Sequence, residues 1–442
     1  MSNQDIAWYA RYFRFTEHGT NLRTEILAGV TTFFTMAYIF LVNPSILSKT
    51  GMNFGAVFVA TVIASIIGTL LMGLLANYPI ALAPGMGLNA YFTYTVVLGM
   101  KVPWQTALGA VFISGLIFLL LTATKVREMI INAIPSGLKY SISAGIGFFI
   151  AFIGLKNAAI IVPSEATIVS LSPHFASKST WLVLFGLLVT VILVVRKVKG
   201  AIFIGMVLTA IVGMLSGQIK PPTQFFSLPP SIKPTLLQLD LASTLELGLV
   251  TIVFAFLFVD LFDNAGTLVG VTTQAGLLKD GKLPRAGKAL VTDSIATMSG
   301  AALGTSTVTS YIESTSGVAS GGRTGMTSVA TAFCMLLSLF CFPLVERFAS
   351  VSAITAPALI IVGVLMANSL RKIEWEDLTE AIPAFVTVIA MPLTSSIATG
   401  ISLGFILYPL CKVVVGKWKA VHPIVYILGV LFILRFIFLE GI

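Results

Sequence analysis

Charge is scarce in this sequence. Asp, Glu, Lys and Arg together make up 10% of its 442 residues, where soluble globular proteins carry about 25%. Apolar residues fill the difference, at 57% with a mean hydropathy of +0.98. That balance excludes an ordinary soluble enzyme and a disordered scaffold. Histidine is scarcer still. His18, His174 and His422 all fall outside the long apolar runs, which removes His–metal and His-nucleophile chemistry from the middle of a membrane. Cys334, Cys341 and Cys411 lie within apolar runs, where buried packing and not a disulfide framework is the expectation. Residues 1–24 lack a basic stretch followed by an apolar one, so no cleaved leader is expected. Their Trp8, Tyr9, Tyr12, Phe13 and Phe15 beside Arg11 and Arg14 read as an aromatic-basic helix lying at a membrane surface.

What is abundant is apolar sequence in pieces of membrane-crossing length. Runs at about 25–47, 54–76, 79–99, 104–124, 137–157, 180–196, 200–216, 246–272, 286–301, 304–322, 326–346, 353–370, 378–391 and 393–414 predict fourteen spans, with 421–439 left as a fifteenth span or an interfacial helix. With the N-terminus inside and the spans alternating, nineteen basic residues collect inside against seven outside, which supports that orientation. The inside set includes Arg196, Lys197, Lys199, Lys125, Arg127, Lys279, Lys282 and Lys412. A net charge of +9 is thus read as loop bias, with no nucleic-acid partner. Fourteen spans divide seven and seven, and an odd number inverts the second half relative to the first. A polar stretch at 217–245 with five prolines sits where a connector between halves belongs. The third run opens with Ala81–Asn89, containing Pro84, Gly85 and Gly87, and the tenth with Ala301–Thr309, containing Gly304 and four hydroxyls. Both are poor helix, so each is expected to begin extended and finish as a half-helix. Paired broken segments in inverted halves point to a transporter site at the membrane midplane. The fold expected is all-α and polytopic, a 7+7 inverted repeat with short extended segments in spans 3 and 10.

Asp260, Asp263, Asp293 and Glu313 cannot be assigned to loops, and a carboxylate at bilayer depth costs about 2.5–3.5 kcal/mol unless it has a partner, a proton or water. Helical periodicity places Asp260, Asp263, Asn264 and Thr267 on one stripe of the eighth span, and Ser306, Thr309, Glu313 and Ser316 on one face of the tenth. Asp293 is more readily a partner for a nearby basic loop residue. Asn89 is either a ligand contact or a helix cap, and Asn43-Pro44 reads as a helix terminus. Ionised carboxylates only accept hydrogen bonds, so these walls suit a small planar ligand rich in N–H donors, with backbone and hydroxyls such as Thr307 serving its other edge. Carboxylates sharing a dehydrated cavity cannot all carry charge; Glu313, or else Asp260, is expected to hold the exchangeable proton. The Asp260–Asp263 pair is also a DxxD pattern, which in a membrane enzyme would chelate magnesium, but no second acidic motif accompanies it. No cofactor is expected.

Four motifs carry a family resemblance across nearly the whole chain: Phe15-Thr-Glu-His-Gly-Thr-Asn-Leu-Arg-Thr-Glu25 continuing to Tyr38, Ala83-Pro-Gly-Met-Gly-Leu-Asn-Ala-Tyr-Phe92, Phe258-Val-Asp-Leu-Phe-Asp-Asn-Ala-Gly-Thr-Leu268, and Gly304-Thr-Ser-Thr-Val-Thr-Ser-Tyr-Ile-Glu313 continuing to Gly325. They resemble the AzgA-like branch of the nucleobase-cation symporter-2, or nucleobase:ascorbate transporter, family. The resemblance implies a core domain of 25–124 and 246–346, a gate domain of 137–216 and 353–414 through which a homodimer could form, and proton-coupled import of hypoxanthine, guanine or adenine across the cytoplasmic membrane. It places substrate contacts at Asn89, Asp260, Asp263 and Glu313; the polar pattern adds Thr267 and Thr307 as contacts and puts the proton on Glu313 or Asp260. Which of the two aspartates meets the base stays open, and the histidine of the uracil-type branch is Thr267 here. Sulfate-type anion carriers resemble the same fold, but an acidic site without arginine repels anions.

Overall fold

In hydrocarbon the backbone must satisfy its own hydrogen bonds, and the chain answers with helices. The computed structural model describes residues 7–124, 133–165, 167–175, 177–244, 250–277, 283–349 and 351–438. Lys125, Arg127, Lys279, Lys282, the 246–249 end of the eighth run and residue 439 lie outside them. Among the described residues nine helical stretches are long and apolar enough to cross a bilayer, from Leu22–Thr50, which contains a break, to Ile397–Val414. Many begin at a polar residue whose side-chain oxygen accepts a first-turn N–H: Asn21, Asn53, Ser177, Asp377 and Ser396.

The other five expected crossings fall short for visible reasons. The seventh and thirteenth, Ala201–Leu215 and Leu378–Thr394, are apolar helices of 15 and 17 residues. The ninth, Ala286–Leu303, carries Lys288, Asp293 and several hydroxyls. The third and tenth are interrupted by strands, β1 at Leu82–Pro84 and β4 at Val308–Ser310. A second pair, β2 at Ile161–Ser164 and β3 at Ile168–Leu171, forms a hairpin after the fifth segment.

Several readings of the sequence change in three dimensions. The first segment is not one helix but two, Leu22–Met36 and Ile39–Leu47, meeting at Ala37 and Tyr38. Asn43 is therefore no terminus: it lies inside the second helix, fully buried, donating to Thr61 Oγ1 at 2.7 Å and Thr305 Oγ1 at 2.9 Å. The leader does not merely rest on a surface, because Phe13 and Phe15 are buried, Tyr12 donates to the Leu74 carbonyl and Asn77 to that of Phe13. Glu25 is fully buried and accepts from the backbone N–H groups of Arg323, Thr324 and Thr327, holding the start of the Gly325–Ser338 helix. Lys412, grouped above with loop cations, is buried in the last turn of Ile397–Val414. The proline-rich 217–245 stretch is pinned by Ser227 to Phe340, Leu237 to Ala302 and Asp240 to Gln105. Helix Pro423–Phe438 packs Phe432 against Phe405 and Phe258, with ring centroids 5.7 and 5.9 Å apart.

Close helix approach needs small residues, and one contact makes this quantitative. A Cβ on Gly325 would lie 2.0 Å from the Gly73 carbonyl oxygen, backbone against backbone. Neither atom is the end of a flexible side chain, so Gly325→Ala must part the two helices. The expected cost is about 2 kcal/mol, read as a lowered thermal unfolding midpoint in detergent; an unchanged midpoint would show that the contact relaxes freely.

Candidate functional site

The site is organised by the two interruptions. Strands β1 and β4 pair antiparallel, Leu82 with Ser310, Ala83 with Thr309 and Pro84 with Val308. Proline is tolerated here because the two-stranded ladder leaves its nitrogen on an unused side. Neighbouring groups complete the ladder: Gly85 N–H donates to Thr307 O at 3.0 Å, Tyr311 N–H to Ala81 O at 2.9 Å, and Thr297 Oγ1 to Val308 O at 2.9 Å. Beyond the strands the chain turns helical at Met86 and at Ser314, with Glu313 in the N-cap position. Both half-helices thus start at the strand pair, where their N-terminal partial charges favour carboxylates.

This geometry corrects the reading of the tenth segment as one helical face. Ser306 and Thr309 precede the helix, on irregular and extended backbone; Glu313 caps it and Ser316 alone of the four lies in its first turn. Asn89 is not a cap either. It lies inside Met86–Ala90, fully buried, where its Oδ1 accepts from Ser306 Oγ and its Nδ2 lies 3.4 Å from the Pro84 carbonyl, tying the third segment to the tenth.

The eighth segment, Val250–Gln274, brings the aspartates alongside. Asp263 and Glu313 are half-buried, whereas Asp260 is 1% exposed. Asp263 Oδ2 stands 3.4 Å from the point where a Gly85 Cβ would be, so glycine lets the third segment's backbone come up to the carboxylate. Thr267 is buried, and Thr307 and Asn264 are fully buried with side-chain polar atoms that find no hydrogen-bond partner among the described residues. Asp293 is fully buried in the ninth segment, within electrostatic range of Asp263.

Sequence reasoning missed two tyrosines. Tyr38, at the break in the first segment, donates to Glu313 Oε1, and Tyr311 donates to the Pro84 carbonyl at 2.6 Å. Tyr38 lay within a quoted motif, and only its position in a membrane-depth run beside no visible partner could have flagged it. Tyr38, Tyr311, Asp263 and Glu313 lie within electrostatic range of one another. Neither Asp263 nor Glu313 forms an ion pair among the described residues. One turn on from Tyr38, Val42 lines a cavity of about 500 Å³ that also takes in Lys49, Asn157, Glu346 and Thr355.

Two broken segments paired at mid-helix depth, with carboxylates beside them, define a membrane transporter. Residues 23–403 match the model of the Permease family Xan_ur_permease, and the chain belongs to that family, the nucleobase:ascorbate transporters; it is a permease and not an enzyme. The chain is 52% identical to the guanine/hypoxanthine permease PbuG of Bacillus subtilis, covering 97% of this chain and 99% of that one. It is 45% identical to the adenine permease AdeP of Escherichia coli, covering 98% and 96%. Among solved structures, the transmembrane domain of the cyanobacterial bicarbonate transporter BicA matches with a TM-score of 0.66 at 16% identity, covering 86% of this chain and 97% of that one. That likeness speaks to fold.

Proposed function

We propose that this chain imports purine bases, hypoxanthine or guanine foremost and adenine next, across the cytoplasmic membrane together with a proton. The observation that carries the reading is the pair of partly accessible carboxylates, Asp263 and Glu313, flanking the β1–β4 strand pair with no ion pair to either among the described residues. Ionised, each accepts N–H donors, which a purine edge supplies and an anion does not. Asp263 is the aspartate assigned to the base, because Asp260 is withdrawn from the accessible side. Asn89, Thr267 and Thr307 support the site, Asn89 by joining its two broken segments. The names of the relatives support the substrate class. The fourteen spans, the 7+7 inverted repeat, the inside N-terminus, the division into core and gate domains and a dimer through the gate domain belong to the same proposal, supported by the basic-residue bias and by the paired interruptions.

Counterflow of radiolabelled hypoxanthine in proteoliposomes tests it, with adenine, guanine, xanthine and uracil as competitors. Competition by the purines above the pyrimidine is expected; equal competition by sulfate or bicarbonate would return the site to an anion carrier.

Coupling to a proton makes a second expected result. A potential of 100 mV is worth about 2.3 kcal/mol per charge, roughly fifty-fold accumulation of a neutral base with one proton. A protonophore should abolish that accumulation in sodium-free buffer, and accumulation that survives it but requires sodium identifies the other ion.

A further inference from the structure

We propose that Tyr38 is the positioning residue of the proton-coupled carboxylate, holding Glu313 toward the first segment and setting the pH at which uptake operates. The proposal rests on the reading of Glu313 as the coupling site. Tyr38 is 1% exposed and stands at the junction of the Leu22–Met36 and Ile39–Leu47 helices. A phenol at this depth needs an acceptor, since an unpaired hydroxyl out of water is costly, and Glu313 Oε1 is the acceptor it has. One turn earlier Thr35 Oγ1 donates to the Glu313 backbone carbonyl at 3.3 Å, so the first segment grips this residue by main chain and side chain.

The chemistry gives the contact a direction. A hydrogen bond to an ionised carboxylate is roughly twice as strong as one to the neutral acid, so the phenol favours the ionised form of its partner and opposes protonation. The other groups facing Glu313 act differently. Asp263, from the Val250–Gln274 helix, lies within electrostatic range of Glu313, and a charge there favours the neutral acid; Asp293 of Ala286–Leu303 bears in turn on Asp263. The Tyr311 phenol is committed to the Pro84 carbonyl, and Glu25 of the first segment to the amides of Arg323, Thr324 and Thr327. Among the described residues Tyr38 is the one side chain that donates to the Glu313 carboxylate.

Initial hypoxanthine uptake into proteoliposomes of fixed internal pH, measured against external pH, tests this. Tyr38→Phe is expected to move the midpoint of the profile toward alkaline pH by about one unit, a tenfold change in proton affinity, and Tyr311→Phe to leave the midpoint in place. Replacing Tyr38 by 3-fluorotyrosine keeps the ring and strengthens the donor, so it should move the midpoint toward acid even if the phenylalanine variant folds poorly. In a Glu313→Gln background neither change at Tyr38 should move the residual pH dependence of binding. A wild type without pH dependence overturns the coupling reading and this proposal together. A pH-dependent wild type whose midpoint is shared by both Tyr38 variants, or a shift that persists with Gln at 313, overturns the assignment of Tyr38 alone.

Discussion

Asp263→Asn is expected to lower hypoxanthine uptake about a hundredfold or more while leaving insertion and folding intact. The carboxylate is half-buried and approaches the backbone of Gly85 beside the strand pair, with no cation to share its charge among the described residues. A hydrogen bond to a charged group is worth about 1.5–3 kcal/mol, and the amide both weakens the acceptor and turns an N–H toward the donor edge of the base. Folding should survive, because removing charge at bilayer depth lowers the cost of insertion. Uptake and surface expression in a strain lacking its own purine permeases measure both quantities. Asp260→Asn is the control: a loss there equal to that at Asp263 would show that the buried aspartate shares the contact, and normal transport by Asp263→Asn would misplace the site.

Lys412→Met should lower stability by about 2–3 kcal/mol through its pair with Glu380, with little direct effect on substrate contacts. The Lys412 ammonium lies 2.8 Å from Glu380 Oε1 and 3.5 Å from Asp377 Oδ2, donates to Thr379 Oγ1 at 2.6 Å, and has Tyr408 donating to the same Glu380 oxygen at 2.7 Å. The cluster staples Leu378–Thr394 to Ile397–Val414, and Ser136–Asn157 abuts it so closely that a Gly137 Cβ would fall 2.4 Å from Glu380 Oε2. Removing the cation strips the largely buried Glu380 of its charge partner beside a partly exposed Asp377, and a broken pair of this kind costs more than the intact pair contributes. Asp377 gains most from the Thr379 hydroxyl and amide and less from Lys412, and is held below the usual carboxylate range; it therefore stays charged at neutral pH and adds to the repulsion. Thermal unfolding in detergent measures the loss, and Lys412→Met combined with Glu380→Gln should recover part of it. A single variant as stable as wild type would show that the cluster holds nothing.

The sequence by itself marked the apolar runs long enough to cross lipid and the two places where plain helix is disfavoured. Apolar runs of about 20 residues need only counting, because hydrocarbon thickness is fixed; Pro84 with Gly85 and the hydroxyl-rich Gly304–Thr309 run disfavour helix locally, so the interruptions that became β1 and β4 were legible. The same periodicity put Asp260 and Asp263 on one stripe, and the scarcity of charge made them conspicuous. Tertiary structure alone decided which aspartate stays accessible, since a helical stripe names a face but not the neighbour that covers it. It decided that Asn43, Glu25 and Lys412 are internal: each is polar, lies at or near a run's end, and is buried only because a partner from another segment, at Thr305, Thr327 or Glu380, satisfies it. It joined Tyr38 to Glu313 across 275 residues of chain. Pairings of that separation leave no periodic trace, because they are fixed by how helices pack and not by the spacing of residues along any one of them.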